Sequence, residues 1–307
     1  MKITNRKLHH LALFSVMASS FTFLISCKDK ENPVPEIKPP VVVVPPVTTA
    51  GAWADVFVAN FSNSAELTNW EAANRFDYNS KYCKYISAAN TVSDLDGKSC
   101  LLITATKLSP GYYESGNVQT KNKYKPLLNE EYRFTASIKL LAQDEKSAYV
   151  GFSETYGAWP AFWTVEGEGW PTKGEIDIME AYTYGSPGST KLKSNLFYGI
   201  EVNKNLLNNK LEKDMTYSEG WHTYEMLWKD LNGKHTITII FDGVTTATYT
   251  NESLAPELKI ENFTAHNVVL NLNVGDNYGI FDNAKTNLFA KTLMFVDFAK
   301  VEKRIYK

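Results

Sequence analysis

From Gly51 onward, apolar and polar residues alternate with a period of two over segment after segment. Between Tyr132 and Leu141, Phe134, Ala136, Ile138 and Leu140 fall on one side while Arg133, Thr135, Ser137 and Lys139 fall on the other. That spacing predicts a half-buried strand. "TITIIFDGVTTATYT" holds two β-rich runs around Asp242-Gly243, and predicts a hairpin. "NVVLNLNVG" puts Val268, Leu270, Leu272 and Val274 on one face and Asn271 and Asn273 on the other, and "LMFVDFAKV" reads as a further strand. Helical spacing is confined to Asn205–Lys213, a short and polar segment. Many strands punctuated by turns, with no repeat and no composition break, predict one all-β sandwich or jelly roll spanning 51–307.

The first fifty residues follow other patterns. Lys2, Arg6 and Lys7 precede an apolar run from Leu11 to Ile25 that is short for a membrane span and suits an export signal, 1–26. Its end, Leu24-Ile25-Ser26-Cys27, resembles the lipobox of bacterial lipoproteins. That resemblance implies lipidation of Cys27, membrane attachment through the lipid, and residence in the cell envelope, with the outer membrane and its surface expected. An ordinary signal with a chance cysteine is the plainer alternative. Residues 27–50 hold half of all prolines, with Pro39-Pro40 and Pro45-Pro46 flanking four valines. Extended polyproline conformation is expected there, a tether reaching roughly 50 Å. Of the remaining cysteines, Cys83 and Cys100 could form a disulfide outside the cytoplasm or stay as buried thiols.

Composition narrows the partners. The formal net charge is −2 with no basic run, which excludes nucleic acid. Seven Trp, seventeen Tyr and sixteen Phe exceed what a core of this size requires, and suit a site that stacks flat ligands. No G-x-S-x-G, C-x-x-C or H-E-x-x-H motif is present. His222 and His235 read as structural, and a monomer is expected.

The chemistry concentrates in "GEIDIMEAY", Gly174 to Tyr182. Glu175 and Asp177 share a face of a strand, whereas strict alternation sends Glu180 to the other. One extra residue around Ile178-Met179, a β-bulge, restores the parity and brings Glu180 beside them. Glu175 and Glu180 would then have Cα atoms roughly 13 Å apart. Their carboxyls could meet at roughly 5 Å, the separation that suits a retaining glycosidase. Asp177 between them could bond the nucleophile, and its charge would help keep the second acid protonated. A solvent-facing acidic strand and a calcium site are the other readings of the same residues.

Together with the preceding "WPAFWTVEGEGWPTK", this stretch resembles glycoside hydrolase family 16, whose signature is E-[hydrophobic]-D-x-x-E after W-P-A-x-W. "SGNVQTK" (Ser115 to Lys121), "WHTYEMLW" (Trp221 to Trp228), "LNLNVG" and "MFVDFAKV" are similar to further strands of that family. The resemblance implies a β-jelly roll of two curved antiparallel sheets with a concave groove, and an endo-acting enzyme with an oligo- or polysaccharide substrate. It implies Glu175 as nucleophile, Asp177 as helper and Glu180 as acid/base. Trp159, Trp163 and Trp170 are candidate sugar platforms, with a core role open for Trp163 and Trp170. Asn117, Asn195 and Asn271 are candidate groove residues, with a solvent-exposed role equally open for Asn271. No cofactor is required. Asp297 matches a position where some members hold a structural calcium. Where glucanases of the family carry H-G-T-x-H, this chain has Lys193 to Phe197, and Asn117 stands where many carry Arg. "SNLFYG" and "HNVVLNLNVG" are similar to the branch that cuts β-galactoside chains, including mucin O-glycans of poly-N-acetyllactosamine type. A β-1,3- or mixed-linkage glucan and a non-catalytic glycan-binding surface are the alternatives.

Overall fold

The structure, a computed structural model, describes residues 47–76, 79–109, 111–186, 188–252, 255–287 and 290–307. The export signal, Cys27 and nearly all of the tether lie outside these residues. The described strands are Ala54–Ala59 (β1), Trp70–Ala72 (β2), Cys83–Tyr85 (β3), Asn90–Leu95 (β4), Lys98–Ser109 (β5) and Tyr112–Ser115 (β6). Next come Asn117–Thr120 (β7), Glu130–Gln143 (β8), Tyr149–Gly151 (β9), Ala158–Val165 (β10), Glu175–Tyr182 (β11) and Lys191–Phe197 (β12). Lys213–Met215 (β13), Trp221–Leu231 (β14), Lys234–Phe241 (β15), Val244–Thr250 (β16), Asn267–Val274 (β17) and Lys291–Ile305 (β18) complete the set. Helix among the described residues is limited to short 3-10 segments.

The strands form two sheets. One runs β13-β12-β11-β10-β17-β7-β2; the other runs β16-β15-β14-β8-β18-β5-β6-β3, with β1, β4 and β9 attached along it. Pairing is antiparallel except between β3 and β6. The core lies between the sheets, where Phe134, Ala136, Ile138 and Leu140 of β8 join Leu270, Leu272 and Val274 of β17 and Ile176 and Ile178 of β11. These side chains are the apolar halves of the alternating runs, so the period of two marks which residues face the core between the sheets. Asp242 (φ 48) and Gly243 (φ 76) both adopt left-handed backbone and close the β15–β16 hairpin as a two-residue turn.

Two expectations are corrected or decided here. Asn205–Lys213 is not helical. Asn208 (φ 47) and Asn209 (φ 58) both adopt left-handed backbone, which interrupts a helix, and the segment folds as turns that bury Leu207 and Leu211. Cys83 and Cys100 are both free and buried, in separate apolar clusters. Asp297 pairs with the ammonium of Lys98. Among the described residues no three His, Cys, Asp or Glu gather as metal ligands. At the edge of the body, Thr49 N–H donates to the Lys307 carbonyl and Lys307 N–H returns a bond to Thr49.

Candidate active site

Strand β11 begins under constraint. Gly174 has φ +84, and a Cβ there would lie 2.4 Å from the Phe263 ring. Only glycine permits both the conformation and that approach. The preceding Lys173 carbonyl accepts from Thr264 N–H (3.1 Å) and from His266 Nε2 (2.9 Å). Because that carbonyl can only accept, the neutral His266 carries its proton on Nε2, and Nδ1 accepts from the Thr164 hydroxyl at 3.1 Å. Burial lowers its pKa to about 4.

The bulge sits where parity requires it. Toward β10, Asp177 pairs with Trp163 and Met179 with Phe162, leaving Ile178 as the extra residue. Toward β12, Asp177 pairs with Asn195 and Glu180 with Lys193. Ile176, Ile178, Met179 and Ala181 are fully buried in the core. Glu175, Asp177, Glu180 and Tyr182 instead line a cavity of about 840 Å³ on the other face of the sheet.

Cross-strand neighbours complete the floor. Glu175 lies between Val165 and Phe197, Asp177 between Trp163 and Asn195, and Glu180 between Ala161 and Lys193. Aromatic clusters flank both ends. Trp163 packs with Ala161, Val165, Val269 and Trp170 near Glu175. Trp159 stacks on Tyr182 (5.4 Å between centroids) and shares a cluster with Phe281 and Tyr184 near Glu180. The Trp159 indole donates to Glu180 Oε1 at 2.9 Å. The Trp163 indole donates to Asn271 Oδ1 at 2.6 Å, and Asn271 donates in turn to the Tyr85 hydroxyl at 3.2 Å. Trp159 and Trp163 are thus core-packed and groove-lining at once.

All three carboxyls are shifted upward. Burial raises Glu175, with the charge of Glu180 adding to it. Asp177 is raised as well, by burial and then by the charges of Glu180 and Glu175. Glu180 is raised by burial, against which Tyr182 and Trp159 favour its anion. Three acids this close titrate as a unit and do not carry three charges at neutral pH. Burial and two like charges thus disfavour the fixed negative charge that the sequence suggested for Asp177.

Of the residues singled out from sequence, Glu175, Asp177, Glu180, Trp159, Trp163, Trp170, Asn195 and Asn271 all line this cavity. Asn117 does not. It is buried opposite Asn271 on β7 and belongs to the neighbouring strand pair. Sequence reasoning missed Tyr182, Lys193, Glu212 and Tyr278, which also line the cavity. Tyr182 follows from the parity of Glu180 once the bulge is accepted. Glu212 and Tyr278 arrive on irregular segments and carry no periodic signal.

Comparison with known proteins gives the family and the fold. The chain is 24% identical over 244 residues to a keratan-sulfate endo-1,4-β-galactosidase of Sphingobacterium multivorum, matching 73% of this chain and 52% of that one. It therefore spans about half the length of that curated relative. Its fold matches an endo-1,3-β-glucanase of Streptomyces sioyaensis with a TM-score of 0.66 at 24% identity, covering 82% of this chain and 96% of the other. An endo-β-1,3-glucanase of Pyrococcus furiosus matches with a TM-score of 0.60 at 21% identity, covering 86% and 100%. The family model for glycosyl hydrolases family 16 matches residues 82–290, which takes in β3 through β17 and with them the entire acid-bearing strand, and the chain belongs to that family.

Proposed function

We propose that this protein is a retaining endo-glycoside hydrolase that cuts internal β-galactoside linkages in chains of poly-N-acetyllactosamine type, such as mucin O-glycans. The observation that carries the reading is the bulge in β11, which gathers Glu175, Asp177 and Glu180 on the floor of one aromatic-walled cavity. Glu180 donates its proton to the glycosidic oxygen while the Glu175 carboxylate attacks the anomeric carbon, and the bond to the leaving sugar breaks. Glu180, now ionised, takes a proton from water, which attacks the same carbon and releases Glu175. Asp177 holds a proton between the two Glu residues and bonds to whichever carries charge. Trp159, Trp163 and Trp170 present indole surface to the apolar faces of sugar rings.

The galactoside preference is supported by the named activity of the keratan-sulfate relative and by the replacement of H-G-T-x-H with Lys193 to Phe197. Incubation of the full chain with mucin O-glycans, keratan-type chains, laminarin, mixed-linkage glucan and agarose tests it. Oligosaccharides with a reducing galactose end, and intact glucans, are expected. Laminari-oligosaccharides would instead assign a glucanase. Glu180→Gln should abolish turnover and keep binding; unchanged turnover would remove Glu180 from the chemistry. The same proposal places the protein on a lipid anchor at Cys27 in the cell envelope. Loss of radiolabelled palmitate incorporation in Cys27→Ser tests that part.

A further inference from the structure

Directly across from Glu180, on β12, stands Lys193. Opposed side chains of an antiparallel pair have Cβ atoms about 5 Å apart, so the long arm of this lysine could reach the carboxyl. It does not. Its ammonium turns to Glu212, with Asp214 at 3.7 Å, and no ion pair joins it to Glu180 among the described residues. Lys193 and Glu212 both line the cavity.

The charged and titratable groups around Glu180 can be named strand by strand. Its own strand supplies Glu175, Asp177 and Tyr182, and β10 supplies only the neutral indole of Trp159. From β12 come Lys193 and Lys191; the latter is paired across from Tyr182, with its ammonium over the Tyr184 ring at 5.3 Å. Glu212 and Asp214 arrive at β13. A cation released against Glu180 would favour its anion and strip the proton that a general acid must hold.

We propose that Glu212 is a positioning residue for Lys193: with Asp214 it holds the ammonium off Glu180, and so sets the alkaline limit over which Glu180 can donate its proton. The assignment rests on the reading of Glu180 as proton donor. Two shifts agree with it. The charge of Glu212 is among the influences that raise Glu180. Burial is the largest single influence on Lys193 and opposes its charge, yet the Glu212 contact together with the charges of Asp214 and Tyr184 outweighs it and raises the lysine, so the cation persists in the pair.

The experiment follows the Glu180 ionisation in the full chain by 13C NMR of labelled glutamate carboxyls, assigned through Glu180→Gln, alongside the pH profile of kcat/KM. Glu212→Gln should lower the Glu180 pKa by roughly one unit and move the alkaline limb of the profile down with it. Lys193→Met should move both the other way, because Glu212 is then uncompensated. The double variant should return close to wild type. Asp214→Asn, at an exposed position, should give a smaller downward shift and covers any failure of Glu212→Gln to fold. A role in packing alone would change activity without opposite displacements of one ionisation. Shifts of the same sign in the two single variants, or none, overturn the proposal. The NMR titration needs no turnover, so inactivity on every glycan would refute the enzymatic reading and leave this one separately decided.

Discussion

Gly174→Ala isolates the constraint that launches the acid-bearing strand. The new methyl would sit 2.4–2.6 Å from three atoms of the Phe263 ring. That ring has no room to retreat, since Phe263 is fully buried against Tyr198 (5.8 Å), Trp228 (6.2 Å) and His266 (5.8 Å). Left-handed backbone at a non-glycine residue costs about 1–2 kcal/mol. Overpacking a filled core adds about 1–3 kcal/mol. The sum is about 2–5 kcal/mol, and with a urea m-value of about 3 kcal/mol/M the unfolding midpoint should drop by roughly 0.7–1.7 M. Gly233→Ala is the control, with similar backbone (φ +78) and nothing within 4 Å of the added carbon. It should register the backbone strain alone. Equal midpoints for the two variants would show that Phe263 imposes nothing on this glycine, and the close-approach argument would fail. Turnover should fall more in Gly174→Ala as well, because the displaced residue adjoins Glu175.

Three further outcomes follow from burial. The folded pKa of His266, about 4, lies below its ordinary 6.5, so the folded state binds fewer protons than the unfolded state between those values. Stability is complete above 6.5 and falls by about 3 kcal/mol as pH drops toward 4; His266→Gln, measured by denaturation against pH, should flatten that window. Asp177 has the opposite sign: its folded pKa is raised, so the folded state holds the extra proton and stability declines as pH climbs from about 4. Asp177→Asn should therefore raise the melting temperature at neutral pH while lowering activity, and an unchanged or lower value would contradict the strained trio. Burial pushes the Cys83 thiol up to about 12 and Cys100 to about 11, so in a Cys27→Ser chain neither should react with an aromatic disulfide at pH 8 until denaturant is added.

What the sequence disclosed was whatever parity controls. Alternation identified the core-facing half of β8 and β17, Asp242-Gly243 identified its hairpin, and three acids spaced two and three apart required the bulge that the register contains. Asn205–Lys213 misled because Leu207 and Leu211 are spaced as in a helix, and both are buried. The left-handed asparagines between them belong to local backbone preference, which apolar spacing does not register. Asn117 shares a face with Asn271 yet lies one strand too far from the cavity, since lateral order in a sheet is set by topology. The Lys193–Glu212 pair was illegible for a related reason: it joins a strand to a turn nineteen positions later.

The bonds between Thr49 and Lys307 have a consequence for chain connectivity. Thr49 and Lys307 meet at one point, with β18 lying between β1, β5 and β8 near the middle of its sheet. The linear order of the body is thus not demanded by its geometry. A circular permutant that joins Lys307 to Thr48 through a short glycine linker, and opens at the exposed Asp242-Gly243 turn, should keep every strand pairing and the same acid-lined floor. A segment fused to such a molecule would leave from the rim of the β15–β16 hairpin in place of the edge where Thr49 meets Lys307.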